Sequence, residues 1–320
     1  MEWPNHAEPR REWHEAMGGA RMHHAWLLAG KAGLGKREFA LAAARALVAE
    51  DGIQQPAVDH PDILVLTHLP KDEKEEAKRQ EGKAYEIKRG ISVAQIRAMQ
   101  QRLFTRPTLG SRRAVIIDPA DDLEKSASNA LLKSLEEPPQ GTYFLLVAHR
   151  PQRLLPTIRS RCRMLRFAEL SDNQIAQMLR QYAPDADLRA SEAAISAAGG
   201  SFGAAMGFIE QNLAPVAALM REIAEQGDPA FKLRGQLVAA IGARPDRARI
   251  QAALDLARAI AAQQAERCSP DRSPQLIDAH AALVELAGQA STYNFDVGLL
   301  VMEIGSLLAR AAAASERADA

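Results

Sequence analysis

Seven residues set the strongest limit on what this chain can fold into. Gly30-Lys31-Ala32-Gly33-Leu34-Gly35-Lys36 lie between the apolar run Ala25–Ala29 (AWLLA) and a helix-forming stretch that starts at Lys36. The pattern G-x-x-x-x-G-K between strand and helix is that of a loop whose backbone N–H groups curl around phosphate. Glycines permit the curl, the helix offers its positive N-terminus, and the lysine reaches the outer phosphates. Such a loop belongs to a parallel sheet covered by helices on both faces. The rest of the first half agrees. Runs at 62–67 (DILVLT), 114–118 (AVIID), 143–148 (YFLLVA) and 164–167 read as further strands, nearly continuous in hydrophobicity as two-sided burial requires. Helical patterns separate them. One follows Ser92, which forms a capping box with Gln95. Another covers about 123–137, where Leu123, Ala127, Ala130, Leu131 and Leu135 make one apolar face before Pro138-Pro139 stops it.

Past residue 167 the texture changes. A second capping box, Ser171 with Gln174, opens an Ala-rich region that is helical in period. It breaks at Pro184, Gly199-Gly200, Pro229, Pro245 and Ser269-Pro270. Three domains are expected: an α/β nucleotide-binding-like module over 1–168, a helical lid over 169–212 and an all-α domain over 213–320, with fraying at the very end. A chain of 320 residues, 47% of them apolar, is long enough for that many cores. Residues 71–89 carry seven basic and six acidic side chains and almost nothing apolar, and read as a solvated loop or hairpin.

Forty basic residues balance forty acidic ones, so no global field draws the chain to nucleic acid or an anionic membrane. No apolar run approaches the roughly 18 residues that would span a bilayer, and the polar N-terminus does not read as a signal peptide. The two cysteines, Cys162 and Cys268, suit a reducing, cytoplasmic setting. They cannot build a four-thiolate zinc site, so neither zinc nor another metal centre is expected. His60 reads as a turn residue.

The chemistry that usually accompanies a phosphate loop is missing. The position after the lysine normally supplies a hydroxyl to magnesium, and here it is Arg37, which has no lone pair to offer. Asp118 stands where a strand-end carboxylate would hold the metal, but Pro119 follows it and cannot act as a base toward water. Asp121 and Asp122 read as caps of the next helix. Gly30, Gly33, Gly35, Lys36 and Asp118 are the candidate nucleotide-binding set. Two readings stay open for it: ATP binding, or a glycine turn kept for backbone geometry alone.

The segment Ser128-Asn129-Ala130-Leu131-Leu132-Lys133-Ser134-Leu135-Glu136-Glu137-Pro138-Pro139, with Ile158-Arg159-Ser160-Arg161-Cys162, resembles the NALLK-LEEPP and SRC motifs of bacterial clamp-loader subunits, the τ/γ and δ′ proteins of DNA polymerase III. Residues 23–36 (HHAWLLAGKAGLGK) fit as well. The similarity covers roughly the first 210 residues, and its motifs are long and specific; the C-terminal third is alike only in being helical. The resemblance implies an AAA+ module, a lid and a helical collar. It further implies a five-membered ring of δ, three τ/γ and δ′ that loads the sliding clamp onto primed DNA within a DNA-directed DNA polymerase holoenzyme.

The resemblance makes Arg161 a finger that reaches the γ-phosphate of ATP held by the neighbouring subunit. A planar, permanently charged guanidinium suits phosphate charge developing in a transition state. The plainer alternative is a surface arginine paired with a carboxylate. Cys162 reads as a small buried residue. Arg37, Pro119, His149 (where the motor subunits have a threonine sensor) and Gly203 (in place of a second sensor arginine) resemble the δ′ branch, which does not hydrolyse ATP but assists its neighbour. An active τ/γ-like ATPase is the alternative, and a P-loop regulator or helicase loader outside the polymerase is another. One feature of many such subunits is missing: the interval 49–61 is short and lacks the cysteines of their zinc module.

Overall fold

The structure, a computed structural model, describes residues 1–19, 22–56, 58–267, 273–290 and 295–313. Cys268, the break at Ser269-Pro270 and the terminal stretch expected to fray lie outside the described residues. The chain divides into two compact units, Met1–Glu169 and Leu170–Ala320.

In the first unit the five apolar runs become β1 (Ala25–Ala29), β2 (Ile63–Leu66), β3 (Arg113–Ile117), β4 (Thr142–Ala148) and β5 (Arg163–Arg166). They form one parallel sheet in the order β2-β3-β4-β1-β5. Because successive strand residues face opposite ways, each run feeds two cores. Trp26, Leu28, Ala114, Ile116, Leu145 and Val147 enter the core closed by α1 (Ala7–Gly18) and α2 (Lys36–Val48), which contribute Trp13, Phe39, Ala40 and Leu47. Leu27, Val115, Ile117, Phe144 and Leu146 enter the other core. That face is covered by α4 (Val93–Leu103) and α5 (Lys125–Glu136), through Ile96, Met99, Ala127, Leu131 and Leu135. Full burial of each large side chain here contributes about 1.5–3 kcal/mol, which explains why the strands stand out as unbroken apolar runs. Sandwiching β1 between β4 and β5 brings the segments that leave β1, β3 and β4 to one end of the sheet, where such sheets bind their ligands.

Two elements depart from the sequence reading. The N-terminal stretch, expected only to be polar, forms a 3₁₀ turn at Pro4–His6 and then α1. Residues 71–89 are closed as a hairpin by an antiparallel Pro70–Ile87 bridge, but they contain a helix, α3 (Glu73–Gln80). It has no apolar stripe. Asp72 accepts the Glu75 N–H, acidic residues fill the first turn, and Lys78–Glu75 (2.7 Å) and Arg79–Glu76 (2.5 Å) pair along its side. A short helix, α6 (Pro156–Arg159), joins β4 to β5.

The second unit is helical throughout its described residues: α7 (Asp172–Tyr182), α8 (Leu188–Ala198), α9 (Phe202–Glu210), α10 (Ala214–Gln226), α11 (Lys232–Ile241), α12 (Arg247–Arg267), α13 (Ser273–Ala290) and α14 (Val297–Ala313). Ser171 and Gln174 make their capping box, with bonds of 2.9 and 3.3 Å. Helices α8 and α9 pack against α12, and α8 also against α10, so the segments on either side of residue 212 belong to one unit. Inside it, Arg234 is pinned to buried Asp228 (Nε–Oδ2 3.0 Å) and to Ser306 (2.9 Å). Gly305 in α14 leaves the space this needs, since a Cβ there would lie 2.4 Å from Arg234 Cγ. Among the described residues no helix is long and apolar enough to cross a membrane.

Candidate functional site

The phosphate loop leaves β1 at Gly30 and enters α2 at Lys36. Gly33 and Gly35 take φ of 75° and 73°, a region that costs any residue with a Cβ, so the glycines are needed where the motif puts them. Gly35 has a second reason. A Cβ on it would lie 2.3 Å from Trp3, whose indole covers the turn. Trp3 stacks on His6 with ring centroids 5.4 Å apart, and buried His6 donates from Nε2 to the Leu34 carbonyl at 2.8 Å. Asn5 Nδ2 donates to the Ala168 carbonyl at 2.9 Å. The first six residues thus strap the loop from outside. Burial holds the His6 pKa below its usual value, against the pull of the Leu34 bond.

Lys36 is 2% exposed and turns back into the loop. Its ammonium donates to the Gly30 carbonyl at 2.6 Å and to the Lys31 carbonyl. Burial lowers its pKa to about 8, although Asp121, Asp118 and Glu38 pull the other way. Asp118 follows β3 directly, its N–H bonded to the Leu66 carbonyl at 2.9 Å and its bond to Pro119 cis. Arg37 reaches across to it, Nη1 to Oδ2 at 3.2 Å. Asp121 does not cap the helix that follows it, as the sequence suggested. Its carboxylate accepts the N–H groups of His149 (2.8 Å) and Arg150 (3.2 Å), fixing the turn after β4 beside the loop. Asp122 is likewise no cap. Burial alone would raise its pKa, but His68 at 3.3 Å, with Arg150 and Arg153, holds it below the usual range. Burial, and then Lys36, lowers the His149 pKa, and its buried Nδ1 has no hydrogen-bond partner among the described residues.

Lys36, Arg37, Asp118, Asp121 and His149 therefore share one corner at the C-terminal ends of β1, β3 and β4. Magnesium nucleotide asks two things of such a corner. The loop backbone and Lys36 fit the phosphates. The metal does not fit, because position 37 offers no oxygen and its guanidinium already holds Asp118. Among the described residues no group of three or more His, Cys, Asp or Glu side chains gathers to hold a metal. His60 closes a turn, its Nδ1 accepting the Asp62 N–H at 3.0 Å. A cavity of about 550 Å³, lined by Glu15, Met22, His23, His24 and Arg163 among others, lies at the other ends of β1 and β5, remote from this corner.

Arg161 lies just past α6 and outside that corner. Its side chain is 35% exposed and ion-paired with Glu136, the last residue of α5, at 2.6 Å. Nη1 also donates to the Thr157 carbonyl at 2.9 Å. So it is a surface arginine paired with a carboxylate, and the carboxylate belongs to the LEEPP motif. The pair is exposed enough that opening it costs on the order of 1 kcal/mol or less. Cys162 packs beside the β-sheet core, and burial pushes its thiol up to about 12, which disfavours the thiolate. Gly203 sits in the first turn of α9, in the second unit.

Residues 6–171 match the family described as DNA polymerase III, delta subunit. The DNA polymerase III subunit delta′ of Pseudomonas aeruginosa is 35% identical over 205 residues, covering 59% of this chain and 56% of that protein. Its counterpart in Bacillus subtilis is 33% identical over 172 residues, 50% of this chain and 46% of that one. The tau/gamma subunit of Haemophilus influenzae is 30% identical over 168 residues, half of this chain but only 22% of that protein. The chain thus spans about half the length of the curated relatives it matches. In fold it is similar to a gamma subunit-related protein from Thermotoga maritima, with a TM-score of 0.51 at 16% identity over 94% of this chain and 98% of that one. With its parallel sheet in the order β2-β3-β4-β1-β5, the phosphate loop at the end of β1 and the match over 6–171, the chain belongs to the DNA polymerase III delta-subunit family, in its delta-prime branch.

Proposed function

We propose that this chain is a clamp-loader subunit that does not hydrolyse ATP and that promotes hydrolysis in a neighbouring subunit through Arg161. The observation that carries the reading is the Arg37–Asp118 pair. The residue that should bind magnesium has instead consumed the carboxylate that should bind it, and Pro119 leaves no base to orient water. Arg161 supports the second half, because it is held at the surface by contacts that are cheap to exchange. On this reading the partners are δ and τ/γ subunits in the cytoplasm, the sliding clamp and primed DNA are met through the complex, 169–212 acts as a lid and 213–320 as the collar.

Reconstitution with δ and τ/γ tests it. The isolated chain, with DNA and clamp present, should show no Lys36-dependent turnover approaching about 1 per second, the low end of ordinary enzymes. Arg161→Ala should still assemble, yet lower ATP turnover at the adjoining site by up to roughly 10³–10⁵. Arg161→Lys should rescue poorly, since a point charge does not reproduce the planar fork. An assembled Arg161→Ala complex that turns over ATP and loads clamps at the wild-type rate removes the finger assignment. Relatives named tau/gamma favour a second reading, a working ATPase, and Lys36-dependent hydrolysis by the chain alone would put it in place of the first.

A further inference from the structure

Loss of the metal-binding hydroxyl need only have left Asp118 a spare carboxylate at the end of β3. Instead its Oδ2 meets Arg37 at 3.2 Å. The Asp118 side chain is 9% exposed and that of Arg37 50%, so the guanidinium reaches in from the solvent side to a carboxylate that is nearly covered. In a magnesium site the ion touches both the residue after the loop lysine and the strand-end carboxylate. Here those two positions touch each other. A divalent ion could reach Asp118 only by expelling Arg37, and it would then sit beside two cations with no oxygen from position 37 to complete its shell.

The phosphate-facing half is not dismantled in the same way. Gly33 and Gly35 keep the left-handed turns that aim the loop backbone inward. Lys36 is buried in the loop, bonded only to the carbonyls of the loop itself in the contacts described above. His149 brings a buried, unpartnered Nδ1 to the same corner. Arg37 spends one N–H on Asp118 and keeps others, because a guanidinium carries several in a fixed fork.

We propose that Arg37 is the resident substitute for the divalent cation: the loop is a metal-independent phosphoryl site that takes the diphosphate of a nucleoside diphosphate, or free pyrophosphate, against Lys36 and Arg37. This rests on reading 30–36 as a phosphate loop and is independent of ring assembly. When the anion enters, Lys36 exchanges the Gly30 and Lys31 carbonyls for phosphate oxygens, and Arg37 keeps the metal position closed throughout.

Calorimetric titration of the full chain with ADP, and separately with pyrophosphate, in excess EDTA and in millimolar magnesium tests the assignment. The expected result is saturable binding of the same strength in both buffers, abolished by Lys36→Ala. Similar affinity for both probes assigns recognition to the phosphoryl group alone; tighter ADP binding adds a nucleoside contact to the same metal-free site. Arg37→Thr, which restores a hydroxyl at a half-exposed position, should bind roughly tenfold more weakly in EDTA, through loss of a charge-assisted hydrogen bond, and recover with magnesium. Magnesium-dependent binding by the wild type, binding of neither probe, or unchanged binding by Lys36→Ala overturns the proposal. A loop that binds nothing would leave the assembly and Arg161 experiments unaffected, so the two failures are distinguishable.

Discussion

Gly35→Ala measures how tightly the N-terminal strap holds the phosphate loop. The residue has φ 73° and ψ 17°, so a Cβ there costs about 1–2 kcal/mol in backbone conformation alone. The new methyl would also lie 2.3 Å from Trp3 Cε2 and 2.4 Å from Cδ2. Trp3 is 6% exposed and stacked on His6, so it has little room to retreat, and forced overpacking of this kind costs about 1–3 kcal/mol. The sum is a loss of roughly 2–5 kcal/mol. Removing the indole separates the two parts. In a Trp3→Ala background, Gly35→Ala should cost only the backbone share, about 1–2 kcal/mol, leaving a coupling of about 1–3 kcal/mol between the positions. Urea denaturation followed by tryptophan fluorescence is the assay. Trp3, Trp13 and Trp26 are the only tryptophans and all lie in the first unit, so the signal reports that unit, and two of them survive in the Trp3→Ala chain. A loss below about 1 kcal/mol, or an equal loss in both backgrounds, would show that Trp3 does not bear on the loop.

The same fluorescence assay reads the buried titrations. Unfolded Lys36 keeps its proton to the ordinary 10.5 while the folded residue gives it up near 8, so stability should rise with pH across that window and be lost as pH falls through it; Lys36→Met should flatten the rise. His6 is also depressed, below 6.5, so its contribution is complete above that pH and declines as the solution is acidified, a decline that His6→Asn should remove. In a Cys268→Ser background, Cys162 should react with iodoacetamide at pH 8 roughly 100-fold or more slowly than a free thiol, because burial has pushed it to about 12. Arg234→Ala leaves Asp228 as a buried carboxylate without its cation and should cost the second unit about 3–5 kcal/mol, followed by the helical circular dichroism signal.

What was legible in the sequence and what was not divide along a physical line. AWLLA, AVIID and YFLLVA announced themselves because strands buried on both faces have no polar side to interrupt them. The glycines of the loop were legible for a similar reason: two sit at dihedral angles few other residues tolerate. The sequence also showed what Arg37 and Pro119 lack. It did not show where Arg37 goes, because its partner Asp118 is 81 positions away and only strand order brings them together. The Glu136–Arg161 pair was hidden in the same way, between two motifs recognised separately. Asp121 carried a misleading local signal, since an aspartate before a helix usually caps it; here the turn after β4 claims both its oxygens. Helix α1 escaped notice because only Pro9 and Trp13 are buried along it, too few to make a stripe. Helix α3 escaped because it is held by charge order and a cap.

The position of β1 in the sheet also sets a timetable for making this protein. Its neighbours are β4 and β5, so Ala25 waits for Phe144 and Trp26 for Arg163 before either edge of the strand is satisfied. At roughly 5–20 residues per second, translation needs on the order of ten seconds to deliver those partners. Throughout that interval a nascent chain presents AWLLA, five residues that end fully covered, with open hydrogen-bonding edges on both sides. The loop that follows β1 emerges early, with its N-terminal strap already made, yet the strands that flank β1 are complete only once the last of them has left the ribosome. This half of the molecule therefore depends on its C-terminal strands being synthesised without pause, and a stalled ribosome between β1 and β4 would expose an aggregation-prone segment.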